Sequence, residues 1–229
     1  MVITVIGMGF VGLTAAVGFA AKGHQVYGIE KNDARRHCIE NGELPFFEPE
    51  MQEYLAQTLN RNFYIQKEQN GAVESSDCVF YCVGTPVGEN GCADLNFLTV
   101  AIKETLSILP KNSGTTLVVK STVPPGTLRD RVLPLVCQSG LTPGKDVELA
   151  NNPEFLREGK CWDDFINADR LVIGAFTDRG YTQVAKVYES FSAPVERVNP
   201  TTAEFIKYLS NTMLATMISY SNEMANAAD

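Results

Sequence analysis

The chain has 229 residues, of which 45% are hydrophobic and 20% are charged, an ordinary composition for a folded globular protein. Its formal net charge is −8, and no basic run is longer than Arg35-Arg36, which argues against nucleic acid or an anionic membrane as the main partner. No apolar run approaches the roughly 18 residues that span a bilayer, and the opening MVITVIG lacks the basic region of a signal peptide. We therefore expect a cytoplasmic protein whose six cysteines are reduced and show no paired metal spacing.

Short β-branched runs alternate with longer helical patterns along most of the chain. Strands are predicted at Val2–Ile6, Gln25–Glu30, Cys78–Val83, Thr116–Lys120, Val147–Ala150 and Leu171–Ile173. Helices are predicted at Phe10–Ala21, Met51–Leu59, Leu95–Leu109, Leu128–Cys137 and Arg179–Phe191. This alternation predicts βαβ units, and therefore an α/β fold of the Rossmann type with a doubly wound, mostly parallel sheet covered by helices on both faces.

The pattern changes at the C-terminal end, where no proline or glycine occurs from Thr201 onward. A capping box from Thr201 to Glu204 opens a predicted helix of nearly thirty residues, much longer than the mean of about 11–12. We expect a Rossmann domain over residues 1–198. Residues 199–229 would form the start of a long helix that bridges to domains outside this chain, which would make the chain the N-terminal part of a longer protein.

The first predicted strand runs into Gly7-Met8-Gly9-Phe10-Val11-Gly12, the fingerprint of a dinucleotide-binding turn. Gly7 permits the tight turn, Gly9 lets the backbone approach a pyrophosphate, and Gly12 lets the following helix pack against the strand. Glu30 ends the second predicted strand, 18 residues after Gly12, where an acid can hold the ribose hydroxyls and repel a 2′-phosphate. The sequence therefore predicts NAD rather than NADP, against the alternative of a glycine-rich turn with a solvated acid. Arg35 is a nearby positive charge that weakens this preference.

Two later strands end in small polar residues, at Gly84-Thr85-Pro86 and at Ser121-Thr122. The carboxyl ends of strands face the ligand crevice of an open α/β sheet, so Thr85 and Thr122 are candidate ligand contacts. Loop and capping chemistry is the alternative. A third strand end carries NNPEFLREG, which places Glu154 and Glu158 four positions apart. Taken alone, this segment is equally compatible with a solvated loop that contains a helix-capping glutamate.

Six segments occur in order along the chain: GMGFVG, LPFFEPEM, VGTPVGENGCADL, KSTVPPGT, NPEFLREGKCWDDFINADRLVIG and AEFIKYLSN. Together they resemble the UDP-glucose/GDP-mannose dehydrogenase family over essentially the whole chain. NPEFLREG followed by DR is specific, and the ordered set is stronger than any one segment. The resemblance implies an NAD-dependent double oxidation of a nucleotide sugar. The C6 alcohol becomes an aldehyde and then, through a covalent thiol adduct, an acid.

The resemblance also implies roles for individual residues. It implies that NAD contacts Gly7, Gly9, Phe10, Val11 and Gly12 of the glycine-rich turn. It also implies contacts with six further residues, namely Glu30, Arg35, Thr85, Pro86, Thr122 and Glu158. It implies a sugar pocket lined by Glu154, Phe155, Leu156, Arg157, Glu158, Lys207 and Asn211, although Arg157 can also be interpreted as an ordinary surface charge. Glu154 would act as an acid/base together with Thr122 and a water molecule, and Lys207 and Asn211 would bind substrate and stabilise oxyanionic intermediates.

The chemistry of alcohol oxidation supports these roles independently. A hydride leaves an alcohol readily only as its proton departs, so a base must lie within hydrogen-bond reach. The negative charge that develops on oxygen is stabilised by an ammonium and an amide donor. Lys207 and Asn211 are four residues apart on one predicted helix, on a face with Ala203, Ala215 and Ile218 that is expected to be buried. The alternative for Lys207 is a stem that extends to solvent.

The nucleophilic thiol of the family lies in a segment beyond the long helix, and no such segment occurs in this chain. Cys161 is not expected to replace it. The chain alone should therefore bind NAD without completing the oxidation to the acid. UDP-glucose is the favoured substrate, while GDP-mannose and UDP-N-acetylhexosamines remain open. We also expect a homodimer that forms through the C-terminal helix. The alternatives for the function are a non-catalytic module that binds NAD and dimerises, and a β-hydroxyacid dehydrogenase.

Overall fold

A computed structural model describes residues 1–89 and 91–228 of the chain. The strands are β1 (Val2–Ile6), β2 (Gln25–Ile29), β3 (Phe63–Gln66), β4 (Cys78–Tyr81), β5 (Thr115–Val119), β6 (Val147–Asn151), β7 (Leu171–Ala175) and β8 (Val195–Val198). The helices are α1 (Phe10–Ala21), α2 (Asp33–Glu40), α3 (Pro49–Thr58), α4 (Asn96–Ile108), α5 (Leu133–Gln138), α6 (Cys161–Ile166), α7 (Asp178–Val187) and α8 (Pro200–Ala228). A 3₁₀ turn spans Val73–Ser75, and a π-helical turn at Leu128–Val132 leads into α5.

The described strands form one sheet in the order β3-β2-β1-β4-β5-β6-β7-β8. All neighbouring pairs are parallel except β6 and β7, which are antiparallel. The chain builds outward from β1 in one direction and then returns to β4 on its other side. This reversal opens a crevice outside the carboxyl ends of β1 and β4, where open α/β sheets bind their ligands. The predicted Rossmann-type fold is confirmed.

Apolar side chains cover both faces of the sheet, as expected for strands buried between helices. Ile3 and Val5 of β1 pack on the face that α1 covers, whereas Ile6 packs on the opposite face, which α4 covers. Residues 12–20 of α1 are buried, because the helix lies between the sheet, α3 and α6. The two buried layers hold the strand ends, and hence the crevice, in fixed positions.

All six predicted strands are present, and β3, β8, α2 and α6 are additional elements that were not predicted. The two missed strands are four-residue edge strands, and β8 carries the charged Glu196 and Arg197 with no fully buried side chain. Helix α2 buries only Ile39, and α6 has only six residues. None of these elements produces the long apolar periodicity on which prediction from sequence depends.

Helix α8 differs from its prediction in two ways: how its first turn is capped, and how far along the helix its packing on the sheet extends. The predicted capping box is absent, because Asn199 Oδ1 accepts the Thr202 amide at 2.9 Å while the Glu204 carboxylate binds a distant loop. Ala203 packs on β7, but the predicted burial of Ala215 and Ile218 is wrong: the helix leaves the sheet after its first turns, and Ile218 is 54% exposed. Within residues 1–89 and 91–228, no helix is sufficiently long and apolar to cross a membrane.

Candidate active site

The glycine-rich turn lies between β1 and α1 and has the close packing that its spacing predicts. Gly7 adopts φ +93° and donates its amide to Ile29 O at 2.8 Å. A Cβ on Gly12 would lie 1.8 Å from Gly7 O, so no larger residue fits between the helix and the turn. A Cβ on Gly9 would meet no atom within 4 Å, which leaves that backbone open to the crevice.

The crevice outside the carboxyl ends of β1, β4 and β5 has a volume of about 1080 Å³, at the upper end of the range for ligand pockets. Several predicted NAD contacts line it: Gly7, Gly9, Phe10, Val11, Glu30, Arg35, Thr85 and Thr122. Gly12, Pro86 and Glu158 do not belong to its lining. Gly12 packs beneath the turn, and Pro86 and Glu158 are exposed on the loops that follow β4 and β6.

Glu30 lies at the end of the crevice beside the glycine-rich turn and is only 6% exposed. Its Oε2 accepts the Met8 amide at 3.0 Å and the Arg35 guanidinium at 3.1 Å, while its Oε1 accepts the Asn32 amide at 2.8 Å. A carboxylate has about four acceptor sites, so these three bonds leave capacity for a ligand hydroxyl. Glu30 is therefore fixed in place and still faces the crevice.

The opposite end of the crevice is formed by the loops after β4, β5 and β6. Thr85 donates its hydroxyl to Thr122 O at 2.7 Å, and Ser121 donates its hydroxyl to Val83 O at 2.6 Å. These two bonds join the loops after β4 and β5. Glu154, from the loop after β6, completes this end.

Glu154 and Lys207 form a buried ion pair at this end of the crevice. Lys207 Nζ lies 2.7 Å from Glu154 Oε1, and the side chains are 7% and 12% exposed respectively. The other oxygen of Glu154 accepts the Leu156 amide at 2.7 Å. The alternative that Lys207 extends to solvent is therefore wrong. Asn211, one turn further along α8, is exposed in this chain.

Glu204 anchors the first turns of α8 to the loop after β5. Its carboxylate accepts the Gly126 amide at 2.5 Å and the Leu128 amide at 2.8 Å, in the loop after β5 that also contains Thr122. Burial raises the pKa of Glu204, while these two amide bonds act to lower it. Because Glu204 lies one turn before Lys207, it fixes Lys207 relative to the loop after β5.

Lys120 is a buried residue at the site to which the sequence analysis assigned no role. It follows β5, is 2% exposed, and donates from Nζ to Asn152 Oδ1 at 3.0 Å. Tyr188 donates its hydroxyl to the same oxygen at 2.6 Å, and Asn152 Nδ2 donates to Val172 O at 2.9 Å. The available signal was a lysine directly after the fully buried run TTLVV. A charge at that position requires a reason, because its burial is costly.

A second cavity of about 250 Å³ adjoins the crevice on the far side of Glu154. Phe155, Leu156 and Arg157 contribute to its lining, as does Arg170, whose guanidinium lies 4.7 Å from the centre of the Phe155 ring. Arg157 forms a two-pronged ion pair with Asp164, at 2.6 and 3.0 Å. The loop residues predicted to bind sugar therefore surround a small polar cavity, except for Glu158.

Cys161 lies near this loop as a buried thiol. Its Sγ donates to Arg157 O at 3.2 Å, and burial raises its pKa to about 11. A thiol with this pKa is protonated near neutral pH and is a poor nucleophile. The exclusion of Cys161 from the catalytic residues stays a prediction.

Comparison with known proteins places these features in context. The sequence profile of the UDP-glucose/GDP-mannose dehydrogenase family, NAD binding domain, matches residues 1–192, and that of the family's central domain matches residues 201–229. UDP-glucose 6-dehydrogenase TuaD of Bacillus subtilis is 33% identical over 99% of the chain and 49% of its own length. GDP-mannose 6-dehydrogenase of Pseudomonas syringae pv. tomato is 35% identical over 100% of the chain and 53% of its own length. The chain thus spans about half the length of these relatives.

A solved structure of a GDP-mannose dehydrogenase is also similar to this chain. The crystal structure of a ternary complex of GDP-mannose dehydrogenase from Pseudomonas aeruginosa superposes with a TM-score of 0.93 at 33% identity. The superposition covers 97% of this chain and 52% of that one. The similarity therefore extends over nearly all of the chain but only half of the solved protein.

Proposed function

Because the chain belongs to the UDP-glucose/GDP-mannose dehydrogenase family, we propose that it is the N-terminal part of an NAD-dependent nucleotide-sugar 6-dehydrogenase. The observation that carries this proposal is the buried Glu154–Lys207 pair at the end of the cofactor crevice. Residues 1–198 would form the NAD-binding domain, and residues 199–229 would begin a central helix. Family membership argues against the β-hydroxyacid dehydrogenase alternative.

The crevice residues fit NAD. The open backbone at Gly9 and the amides at the start of α1 would hold the pyrophosphate, and Glu30 would accept the adenosine ribose hydroxyls. Arg35 would lie beside the same ribose, and Thr85 and Thr122 would contact the nicotinamide half. When bound, NAD supplies the hydride acceptor for the alcohol oxidation.

Glu154 and Lys207 would handle the proton and the charge of the reacting alcohol. A hydroxyl that binds beside this pair, within hydrogen-bond reach of both Glu154 and Lys207, would have a proton acceptor and a cation as neighbours. Lys207 then stabilises the oxygen as its proton passes to Glu154, directly or through a water held near Thr122. Asn211 would add an amide donor one turn further along α8. The second oxidation would need a thiol outside this chain.

UDP-glucose is the favoured substrate, because NPEFLREGK followed by DR looks most like the UDP-glucose branch. GDP-mannose is the second candidate, since a GDP-mannose 6-dehydrogenase is 35% identical to the chain. The test is NADH formation by the full-length protein with UDP-glucose, GDP-mannose and a UDP-N-acetylhexosamine, supplied separately at equal concentration. Absence of turnover with all three would overturn the proposal and favour a non-catalytic NAD-binding module.

Helix α8 also presents an apolar face that we assign to a homodimer. Phe205, Leu209, Met213 and Met217 follow at intervals of four residues, and Met213 is 61% exposed. Such a face is unusual on a free surface and is typical of an interface. Light scattering of the full-length protein should give a dimer that Met213→Glu dissociates. A wild-type monomer would refute the assignment.

A further inference from the structure

Lys120 lies between two cavities, and no carboxylate within residues 1–89 and 91–228 forms an ion pair with it. Lys120 and Glu154 line both the cofactor crevice and the smaller cavity beside it. Glu154 is paired with Lys207, so the ammonium of Lys120 is held by neutral groups instead, mainly Asn152 Oδ1 at 3.0 Å and the Tyr188 hydroxyl at 3.4 Å. A structural role alone would be filled at lower cost by an apolar side chain, since burying an unpaired charge is expensive.

The neighbouring ionisable groups do not neutralise the positive charge of Lys120. The ionisable groups that face it are Cys82 after β4, Glu154 after β6, Lys207 on α8 and the Tyr188 hydroxyl at the end of α7. Burial raises the pKa of Cys82 to about 12 and that of Tyr188 well above its usual value, so both are neutral. Glu154 and Lys207 carry opposite charges 2.7 Å apart, and their fields nearly cancel at a distance. The net charge behind this end of the crevice is therefore that of Lys120.

The cofactor changes charge at this same end. Glu30 marks the adenosine end of the crevice, so the loops after β4 and β5 face the nicotinamide half. The oxidised nicotinamide ring carries a positive charge, whereas the reduced ring is neutral. We propose that Lys120 sets the redox preference of the cofactor site, because its buried ammonium opposes NAD⁺ more than NADH and so favours hydride acceptance. This inference rests on NAD binding and does not require that a nucleotide sugar is the substrate.

The preference should depend on pH in a defined direction. Burial lowers the pKa of Lys120 to about 8, with the charge of Glu154 acting to raise it and that of Lys207 acting to lower it. Below that pH the ammonium is charged and NAD⁺ binding is opposed. As the pH rises through about 8, Lys120 loses its proton, NAD⁺ binds more tightly, and NADH affinity changes little. Binding of NAD⁺ near this pH should therefore release protons.

The test is titration calorimetry of NAD⁺ and NADH with the wild-type chain and with Lys120→Met, at about pH 7 and about pH 9. The ratio of the NAD⁺ to the NADH dissociation constant should fall about threefold or more in Lys120→Met at the lower pH. In Lys120→Met this ratio should also no longer depend on pH. Lys111→Met is the matched control, since Lys111 is exposed and lies before the amino end of β5, away from the crevice at the carboxyl ends of the strands. An unchanged ratio in Lys120→Met would overturn the proposal.

Lys120→Met should fold, because Asn152 Oδ1 still accepts the Tyr188 hydroxyl at 2.6 Å. If circular dichroism shows that this variant does not fold, the proposal is tested on the wild-type chain instead. NAD⁺ titrations near pH 8 in buffers of different ionisation enthalpy report proton release directly. Release with NAD⁺ but not with NADH supports the proposal, and no release with NAD⁺ overturns it. Lack of sugar turnover would contradict the proposed function and leave this result unaffected.

Discussion

The Glu154–Lys207 pair can be tested through stability as well as through activity. The two side chains are 12% and 7% exposed, so removal of one partner leaves a charge in a site where water compensates it poorly. Glu154→Gln and Lys207→Met should each lower the free energy of unfolding by about 3 kcal/mol, at the lower end of the range for buried pairs because Glu154 also lines two cavities. The double variant, which buries no unpaired charge, should lie within about 1 kcal/mol of the wild type.

Urea unfolding of the four chains, followed by circular dichroism, completes this double-mutant cycle, provided that the dependence on urea is the same for all four. Lys67→Met serves as the control, since Lys67 and its partner Asp33 are 49% and 58% exposed, and loss of such a surface ion pair has a small effect. If the losses of the single variants simply add in the double variant, Glu154 and Lys207 are not coupled. The ion pair would then not be the feature that organises the site.

Three further predictions concern ligand binding and turnover. Glu30→Ala should weaken NAD binding sharply and reduce the preference for NAD over NADP, because it removes the acid that repels a 2′-phosphate; equal wild-type affinities for the two cofactors by calorimetry would contradict the role of Glu30. Full-length Glu154→Gln should slow turnover by about 10²-fold or more while NAD affinity stays near the wild-type value, and unchanged turnover would remove Glu154 from the mechanism. Full-length Glu204→Ala should raise the Michaelis constant for the sugar nucleotide and lower turnover without a matching loss of NAD affinity, because Lys207 would lose its anchor to Gly126 and Leu128. Glu204→Gln, which keeps one acceptor oxygen, should restore part of the activity.

The features that the sequence predicted well are encoded within short segments. The tight turn at Gly7, the packing at Gly12 and the acid at Glu30 all belong to one βαβ unit, whose spacing follows from strand and helix geometry. The placement of Thr85 and Thr122 also followed from a local rule, because both residues directly follow strands whose carboxyl ends meet at one edge of the sheet. No contact between distant residues had to be known for these predictions.

The features that the sequence missed depend on contacts between distant segments. Glu204 looked like half of a capping box, but its partners are Gly126 and Leu128, 78 and 76 residues earlier in the chain. Lys120 looked like the last residue of a strand, and its partner Asn152 lies 32 residues later. Local patterns assign such residues a local role, since only the folded sheet brings the partners together.

These distant contacts explain why the NAD-binding domain and the first turns of α8 form one functional unit. The glycine-rich turn, Glu30 and the threonines could hold a dinucleotide without α8, because β1, β2, β4 and β5 supply them. Glu154, in contrast, depends on α8, since its largely buried carboxylate needs the ammonium of Lys207 as a partner. Glu204 fixes that ammonium to the loop that carries Thr122, so a shift of α8 would disturb this loop and the Glu154–Lys207 pair together. We therefore expect α8, which packs only its first turns on the sheet, to control whether bound NAD faces the proposed acid/base Glu154.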